Sequence, residues 1–191
     1  MKVNEIFYSI QGEGAHTGTP AVFIRFSGCN LKCDFCDTNH QGGQMYTEEE
    51  IVQEVAKYPA YWVVVTGGEP ALQLTQSLVD KIKQLGISVA VETNGTRELP
   101  KVDWITVSPK EAFVGDAGKP ILKFANEVKV VYDGIRPVSS YGIKATHYYL
   151  QPCDTGDEKR NQEIINEVVQ YVKENPTWKL SLQTQKILNV R

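Results

Sequence analysis

"YWVVVTGGEPALQLTQSLVDKIKQLG", residues 61 to 86, reads as one strand handing over to one helix. Tyr61 to Val65 is a short apolar, β-branched run, Gly67 and Gly68 stop it, and Pro70 suits the start of a helix. Beyond it, over 71–85, Leu74, Leu78, Ile82 and Leu85 share one helical face, and Gly86 supplies a C-terminal cap. A strand followed directly by an amphipathic helix is the repeating unit of a parallel sheet.

The same alternation extends in both directions. "AVFIRFSG" (21–28) reads as a strand, and "TEEEIVQEVAKY" (47–58) as a helix opened by a Thr47–Glu50 capping box. Downstream, 87–95, 102–110, 127–134 and 147–152 read as strands. A helix over 161–174 carries Ile164, Ile165, Val168, Val169 and Val172 on one stripe, and 178–183 reads as a closing strand. The prediction is a single α/β domain over 1–191 with a mostly parallel sheet. A complete (β/α)₈ barrel takes about 250 residues, so at 191 residues the barrel is expected to be incomplete. The pattern-poor region 108–127 predicts a shortened crossover.

Composition narrows the function classes. The chain is 41% hydrophobic and 23% charged with a net charge of -3, which gives no electrostatic footprint for nucleic acid or an anionic membrane. No run approaches the ~20 apolar residues of a membrane span, and the first residues lack the pattern of a secretory leader. A cytoplasmic location is expected, where four cysteines serve as ligands or core residues more often than as disulfides.

Three of those cysteines, Cys29, Cys33 and Cys36, fall within "GCNLKCDFCDTNH" (28–40). A zinc loop completed by His40 or Cys153 fits the spacing. So does an iron–sulfur cluster that three thiolates hold with one iron left open. Other polar groups sit just past strand ends: Thr66-Gly67-Gly68-Glu69, Glu92-Thr93-Asn94, Ser108-Pro109-Lys110 and Gln151-Pro152. In parallel α/β folds the loops after the strands' C-terminal ends build the active site. Five such loops, counting the cysteine loop, predict an enzyme.

The C-x₃-C-x₂-C spacing with Phe35 before the last cysteine is the signature of radical S-adenosylmethionine enzymes, and Gly67-Gly68-Glu69-Pro70 follows the next strand as it does in that superfamily. Within it, "FYSIQGEGAHTGTPAVFIRFSGCNLKCDFCDT", "VVVTGGEP", "VETNGT", "VSPK", "LQP" and the ending "WKLSLQTQKILNVR" resemble the 7-carboxy-7-deazaguanine synthase family over nearly the whole chain. The resemblance implies a partial radical SAM barrel that converts 6-carboxy-5,6,7,8-tetrahydropterin to 7-carboxy-7-deazaguanine and ammonia in queuosine and 7-deazapurine biosynthesis. It implies a [4Fe–4S] cluster on Cys29, Cys33 and Cys36, S-adenosylmethionine on its open iron, and Mg²⁺ on Thr38.

The resemblance also assigns the remaining residues. Substrate contacts fall on Ile10, Gln11, Gly12, Glu13, Arg25, Thr66, Gln185 and Arg191, with the C-terminal tail closing over the pterin. Glu13 suits a guanidine-like edge, and Arg25 suits a carboxylate. Cofactor contacts fall on Phe35, Cys36, Asp37, Gly68, Glu69, Ser108, Pro109, Lys110 and Gln151, Pro152, Cys153 and Asp154; Glu92 and Asn94 are further candidates. Many members carry a histidine where this chain has Gln185, which can only hydrogen-bond. A homodimer and a flavodoxin- or ferredoxin-like electron donor are the implied partners. A glycyl-radical activating enzyme, which acts on a partner protein, and a zinc-stabilised binding module are the rival readings.

Overall fold

The computed structural model describes residues 1–36, 38 and 40–190. Nine strands form one sheet: β1 (Lys2–Ile10), β2 (Pro20–Phe26), β3 (Gln44–Met45), β4 (Trp62–Gly67), β5 (Ser88–Thr93), β6 (Trp104–Val107), β7 (Phe124–Tyr132), β8 (Lys144–Pro152) and β9 (Trp178–Leu180). Five helices accompany them: α1 (Glu48–Val55), α2 (Gln76–Gln84), α3 (Glu111–Val114), α4 (Glu158–Glu174) and α5 (Thr184–Leu188). The strand order is β3-β1-β2-β4-β5-β6-β7-β8-β9. β1 is antiparallel to β2 and β3, and every pairing from β2 to β9 is parallel. The end strands β3 and β9 do not pair, so the barrel stays open as the chain length predicts.

Strand periodicity explains how the two faces divide. Successive side chains point to opposite faces. Val22, Ile24 and Phe26 of β2, Val63 and Val65 of β4 and Val89 and Val91 of β5 share a core with α1 and α2. A second core joins Val107, Val128, Val130 and Leu150 to Ile164 and Val168 of α4. Leu78 and Ile82 of α2 are fully buried, each stabilising by about 1.5–3 kcal/mol. The alternate residues meet on the other face. Phe7, Phe23, Val64 and Ala90, with Trp62 and Trp104, form a small apolar plug there. Arg25, Thr66, Glu92, Lys129, Val131 and Gln151 line a cavity on it.

Several elements differ from the sequence reading. β1 precedes the first expected strand at residue 21, and a register shift between Val3 and Glu5 breaks its alternation. Residues Pro70–Leu72 form a 3-10 turn capped by the Glu69 side chain, and α2 starts only after Thr75, whose hydroxyl accepts from the Leu78 N–H at 3.1 Å. Leu74 is therefore buried from a loop. The capping box of Thr47 and Glu50 is present as expected. The crossover expected to be shortened within 108–127 holds only the one-turn α3 and a 3-10 turn, and among the described residues the β5–β6 and β7–β8 connections contain no helix.

Candidate active site

The cavity opens where the C-terminal ends of the parallel strands converge, and its volume is about 500 Å³, within the ordinary range of ligand pockets of about 300–1,000 Å³. The cysteine loop forms one wall. Cys29, Cys33, Cys36, Thr38 and His40 all line it, and Phe35 lines it beside them. Phe35 packs on Phe113 of α3 with ring centroids 4.3 Å apart, and the Arg136 guanidinium covers Phe113 at 4.4 Å, so the loop is held by an aromatic stack.

Burial pushes the Cys29 and Cys33 thiols above their ordinary range, and the neighbouring thiols push in the same direction. Lys110, on the Cys33 side, opposes the shift, and burial brings its own amine down to about 8. The Lys110 ammonium donates to the Ser108 carbonyl at 2.9 Å and to its hydroxyl at 2.5 Å. Among the described residues no three His, Cys, Asp or Glu side chains are gathered tightly enough to hold one metal ion. The three thiols share one cavity, and three thiolates are a donor set that can hold an iron–sulfur cluster with one iron left open.

The turn after β4 lies against this loop. Gly68 donates to the Phe26 carbonyl at 3.1 Å, and the Glu69 N–H to the Gly28 carbonyl at 2.9 Å. The Glu69 side chain is fully buried and does not reach the cavity. Its carboxylate accepts from the Thr93 hydroxyl at 2.7 Å, from the Asn94 N–H at 2.8 Å and from the Ala71 N–H at 3.0 Å. Through these bonds Glu69 fixes the turn onto β5. Pro109 is also buried away from the cavity wall, whereas Ser108 and Lys110 on either side line it.

The rest of the cavity is lined from the strands and the tail by Ile10, Gln11, Gly12, Glu13, Arg25, Thr66 and Gln185, and by Gln151, Pro152, Cys153, Asp154 and Gly68 of the cofactor set. Asp37 and Arg191 lie outside the described residues. Arg25 donates through Nε to Glu5 at 2.8 Å, leaving its terminal nitrogens for the cavity. Glu92 binds Gln11, whose amide donates to it at 2.9 Å, and Asn94 donates to Asn30 at 3.1 Å.

Glu13 is the electrostatic centre of this wall. It accepts from the Lys129 ammonium on Oε2, and from the Gln183 and Gln185 amides on Oε1 at 3.0 and 3.1 Å. Burial works to raise its pKa, yet the Lys129 charge and these donors win and hold it at about 2. Lys129 is 3% exposed; burial works against its charge, and Glu13 and Glu92 more than compensate. The tail is docked by the same wall: the Thr184 N–H and hydroxyl donate to the Gly12 carbonyl at 3.1 and 2.8 Å, and Lys186 pairs with Asp154 at 2.8 Å. A Cβ on Gly12 would sit 2.7 Å from the Gln185 backbone nitrogen, so a side chain there would push the tail away.

Lys129 and Gln183 were missed by the sequence reading. Lys129 was legible in principle: "EVKVVYDG" alternates Glu127, Lys129 and Val131 with Val128 and Val130, and charges on one face of a central strand need a polar interior.

Glu127, one turn of the pleat below Lys129, yields a pH prediction. Burial pushes its carboxyl from 4.5 up to about 7. A raised carboxyl pKa contributes fully to stability below about pH 4.5 and loses that contribution as the pH rises through about 7. The cost at higher pH is about 3 kcal/mol. Glu127→Gln is expected to flatten this part of the curve, so that chemical denaturation shows the variant gaining on the parent as pH rises. A constant gap between the two from acid to neutral pH would overturn the assignment.

Residues 23–161 match the radical SAM superfamily. The chain is 50% identical over its full length to a 7-carboxy-7-deazaguanine synthase of Bacteroides thetaiotaomicron, covering 98% of that protein. It is 37% identical to one of Haemophilus influenzae, over the full chain and 94% of the relative. Among solved structures it is similar to QueE from Escherichia coli, with a TM-score of 0.76 and 27% identity over 95% of this chain and 93% of the other.

Proposed function

The chain belongs to the 7-carboxy-7-deazaguanine synthase family of the radical SAM superfamily, and from that premise we propose how its cavity divides the reaction. The enzyme contracts 6-carboxy-5,6,7,8-tetrahydropterin to 7-carboxy-7-deazaguanine with loss of ammonia, a lyase step of queuosine and 7-deazapurine biosynthesis. The observation that carries the assignment of roles is that one cavity is lined both by the three thiols and by Gln11, Glu13 and Arg25.

Cys29, Cys33 and Cys36 hold the [4Fe–4S] cluster. When bound, the cluster and S-adenosylmethionine supply the radical that starts and ends the rearrangement. Gly68, Ser108, Lys110 and Gln151 to Asp154 face the cofactor, together with Phe35. Asp37 belongs to the same set by the family resemblance. Thr38, which lines the same cavity as the thiols, would be the protein's ligand to Mg²⁺, which would supply charge for a substrate oxygen.

Arg25 grips the substrate carboxylate through its terminal nitrogens, and Ile10, Gly12 and Thr66 shape the floor. Glu13 takes the guanidine-like edge. An ionised carboxylate offers about four acceptor sites, and Lys129, Gln183 and Gln185 already occupy three of them. A two-donor edge therefore displaces at least one tail amide. Gln185, in the place of the family's frequent histidine, does this by hydrogen bonding alone. The chain acts as one domain over 1–191, with α5 and Arg191 closing on the pterin. The working form is a cytoplasmic homodimer reduced by a flavodoxin- or ferredoxin-like donor.

An anaerobic assay tests the reading, with reconstituted enzyme, the tetrahydropterin, S-adenosylmethionine, Mg²⁺ and reductant, read by mass spectrometry. The expected result is 7-carboxy-7-deazaguanine, lost in Cys29→Ala together with iron binding. Cleavage of the cofactor to 5′-deoxyadenosine without the deazaguanine would refute the division of roles and return the glycyl-radical reading. Zinc without iron after anaerobic purification would return the binding module.

A further inference from the structure

We infer that Lys129 is the positioning residue of the substrate wall, closing a ring with Glu92, Gln11 and Glu13 that keeps Glu13 ionised and aimed into the cavity. The inference rests on the reading above, that Glu13 takes the donor edge of the pterin.

The ring is complete in the structure. The Lys129 ammonium donates to Glu13 Oε2 and, at 2.9 Å, to Glu92 Oε2. The other Glu92 oxygen accepts the Gln11 amide at 2.9 Å, and the Gln11 carbonyl oxygen accepts the Glu13 N–H at 3.1 Å. Each member fixes the next, and Gln11 and Glu13 line the cavity where the substrate is placed.

Charge counting shows why the centre must be a cation. Glu13 comes from the loop after β1, Glu92 from β5 and Glu127 from β7, and all three carboxyls act electrostatically on Lys129. Lys110, after β6, is the other cation that acts on this group, and its amine is turned to Ser108. Carboxylates that share a dry site cannot all ionise; one of them takes a proton. Were that one Glu13, it would meet the donor edge of the pterin with a donor of its own.

A lysine kept only for the fold has little rationale here. Buried ion clusters are often replaced by apolar residues without loss of stability, and the same face of the sheet carries the apolar cluster of Phe7, Phe23, Val64 and Ala90. The three-centre arrangement instead fixes one charge state at one place.

The test is binding of oxidised pterin-6-carboxylate, a non-reactive probe, to the cluster-reconstituted enzyme from about pH 6 to about pH 9, read by pterin fluorescence. Glu127 and Lys110 titrate inside that window, at about 7 and about 8, so every profile is divided by the parent's, and a flat profile is one unchanged from the parent. Lys129→Met is expected to bind roughly tenfold to hundredfold more weakly and to acquire an acid limb, losing affinity as pH falls. Lys129→Arg keeps the charge and stays flat. Parent-like affinity and a flat profile in Lys129→Met would overturn the inference, as would an acid limb in Lys129→Arg equal to that of Lys129→Met.

Should Lys129→Met not fold, Glu92→Gln decides. It leaves Lys129 on Glu13 with one carboxylate fewer, so its profile must remain flat, and an acid limb there overturns the inference. Glu13→Gln in the same assay separates the two claims. Undiminished probe binding in that variant refutes the placement of the pterin edge itself, whatever Lys129 does.

Discussion

Gly68→Ala is expected to lose iron–sulfur loading and to lower turnover roughly 100-fold or more, the scale of a displacement of about 1 Å at a reacting centre. A Cβ on Gly68 would lie 1.9 Å from the Gly28 carbonyl oxygen, 2.4 Å from its carbon and 2.9 Å from the Cys29 nitrogen. All three are backbone atoms, so no side-chain rotation relieves the contact. The turn is also tied to that backbone by the Glu69 N–H to Gly28 bond and is fixed on its far side by the buried Glu69 carboxylate. The displaced element is therefore the start of the cysteine loop. Overpacking of this kind costs about 1–3 kcal/mol, less than most folds can tolerate, so a folded protein with a misplaced Cys29 is the expected outcome. Gly18→Ala is the control: its φ of +88° strains an alanine, but no atom lies within 4 Å of the added carbon. It should lose stability and keep its iron. Iron and sulfide per chain after anaerobic reconstitution, beside a thermal melt, check both. Full iron in Gly68→Ala would mean that the cysteine loop yields, and that the glycine serves something other than this close approach.

The same turn shows why some of the molecule was legible in its sequence and some was not. Strands buried on both sides alternate valines toward the helices with residues chosen for the interior, so β2, β4 and β5 stand out by their apolar runs and their loops by the polar groups that follow. The cysteine spacing and the glycine turn are local, and local patterns survive in a sequence. β1 does not show itself. Its bulge between Val3 and Glu5 sends Val3 to the core against α1 and α2 while Phe7, at the same parity, faces the interior. A period of two cannot be read across such a shift. The tie of Glu69 to β5 is hidden for a different reason. In the sequence that residue stands among those expected to meet the cofactor, and only the fold reveals that Thr93 and Asn94, over twenty residues away, consume its carboxylate. Gln183 belongs to the same class, and so does the partner of Lys129, whose alternation on β7 is visible but does not say which residue it meets: Glu13 lies more than a hundred residues from both. Gln185 is intermediate. Its departure from the family's frequent histidine was visible, but its bond to Glu13 was not.

Glu13→Gln is expected to be the most damaging single-atom change in the substrate wall. An amide keeps one acceptor oxygen and replaces the other with an NH₂ donor. Glu13 uses both oxygens as acceptors, one toward the Lys129 ammonium and the other toward the Gln183 and Gln185 amides. With the new NH₂ toward Lys129, donor meets donor and Lys129 keeps only Glu92; with it toward the tail, Gln183 and Gln185 must turn their amides to present acceptors, and α5 keeps only its Thr184 and Lys186 bonds as built. The wild-type carboxyl, held at about 2 against an ordinary 4.5, contributes about 3 kcal/mol at neutral pH. Because the folded value is depressed, that contribution is present above about pH 4.5 and disappears as the pH falls through about 2. The variant's stability deficit should therefore be full at pH 7 and shrink in acid, which denaturant midpoints across pH would show. In kinetics the loss should be about 100-fold in kcat/KM, carried mainly by KM, since a charged partner of the bound pterin is removed before any chemistry occurs. A full stability deficit with an unchanged KM would leave Glu13 as the anchor of Lys129 and the tail, and would move the recognition of the pterin edge to Gln11.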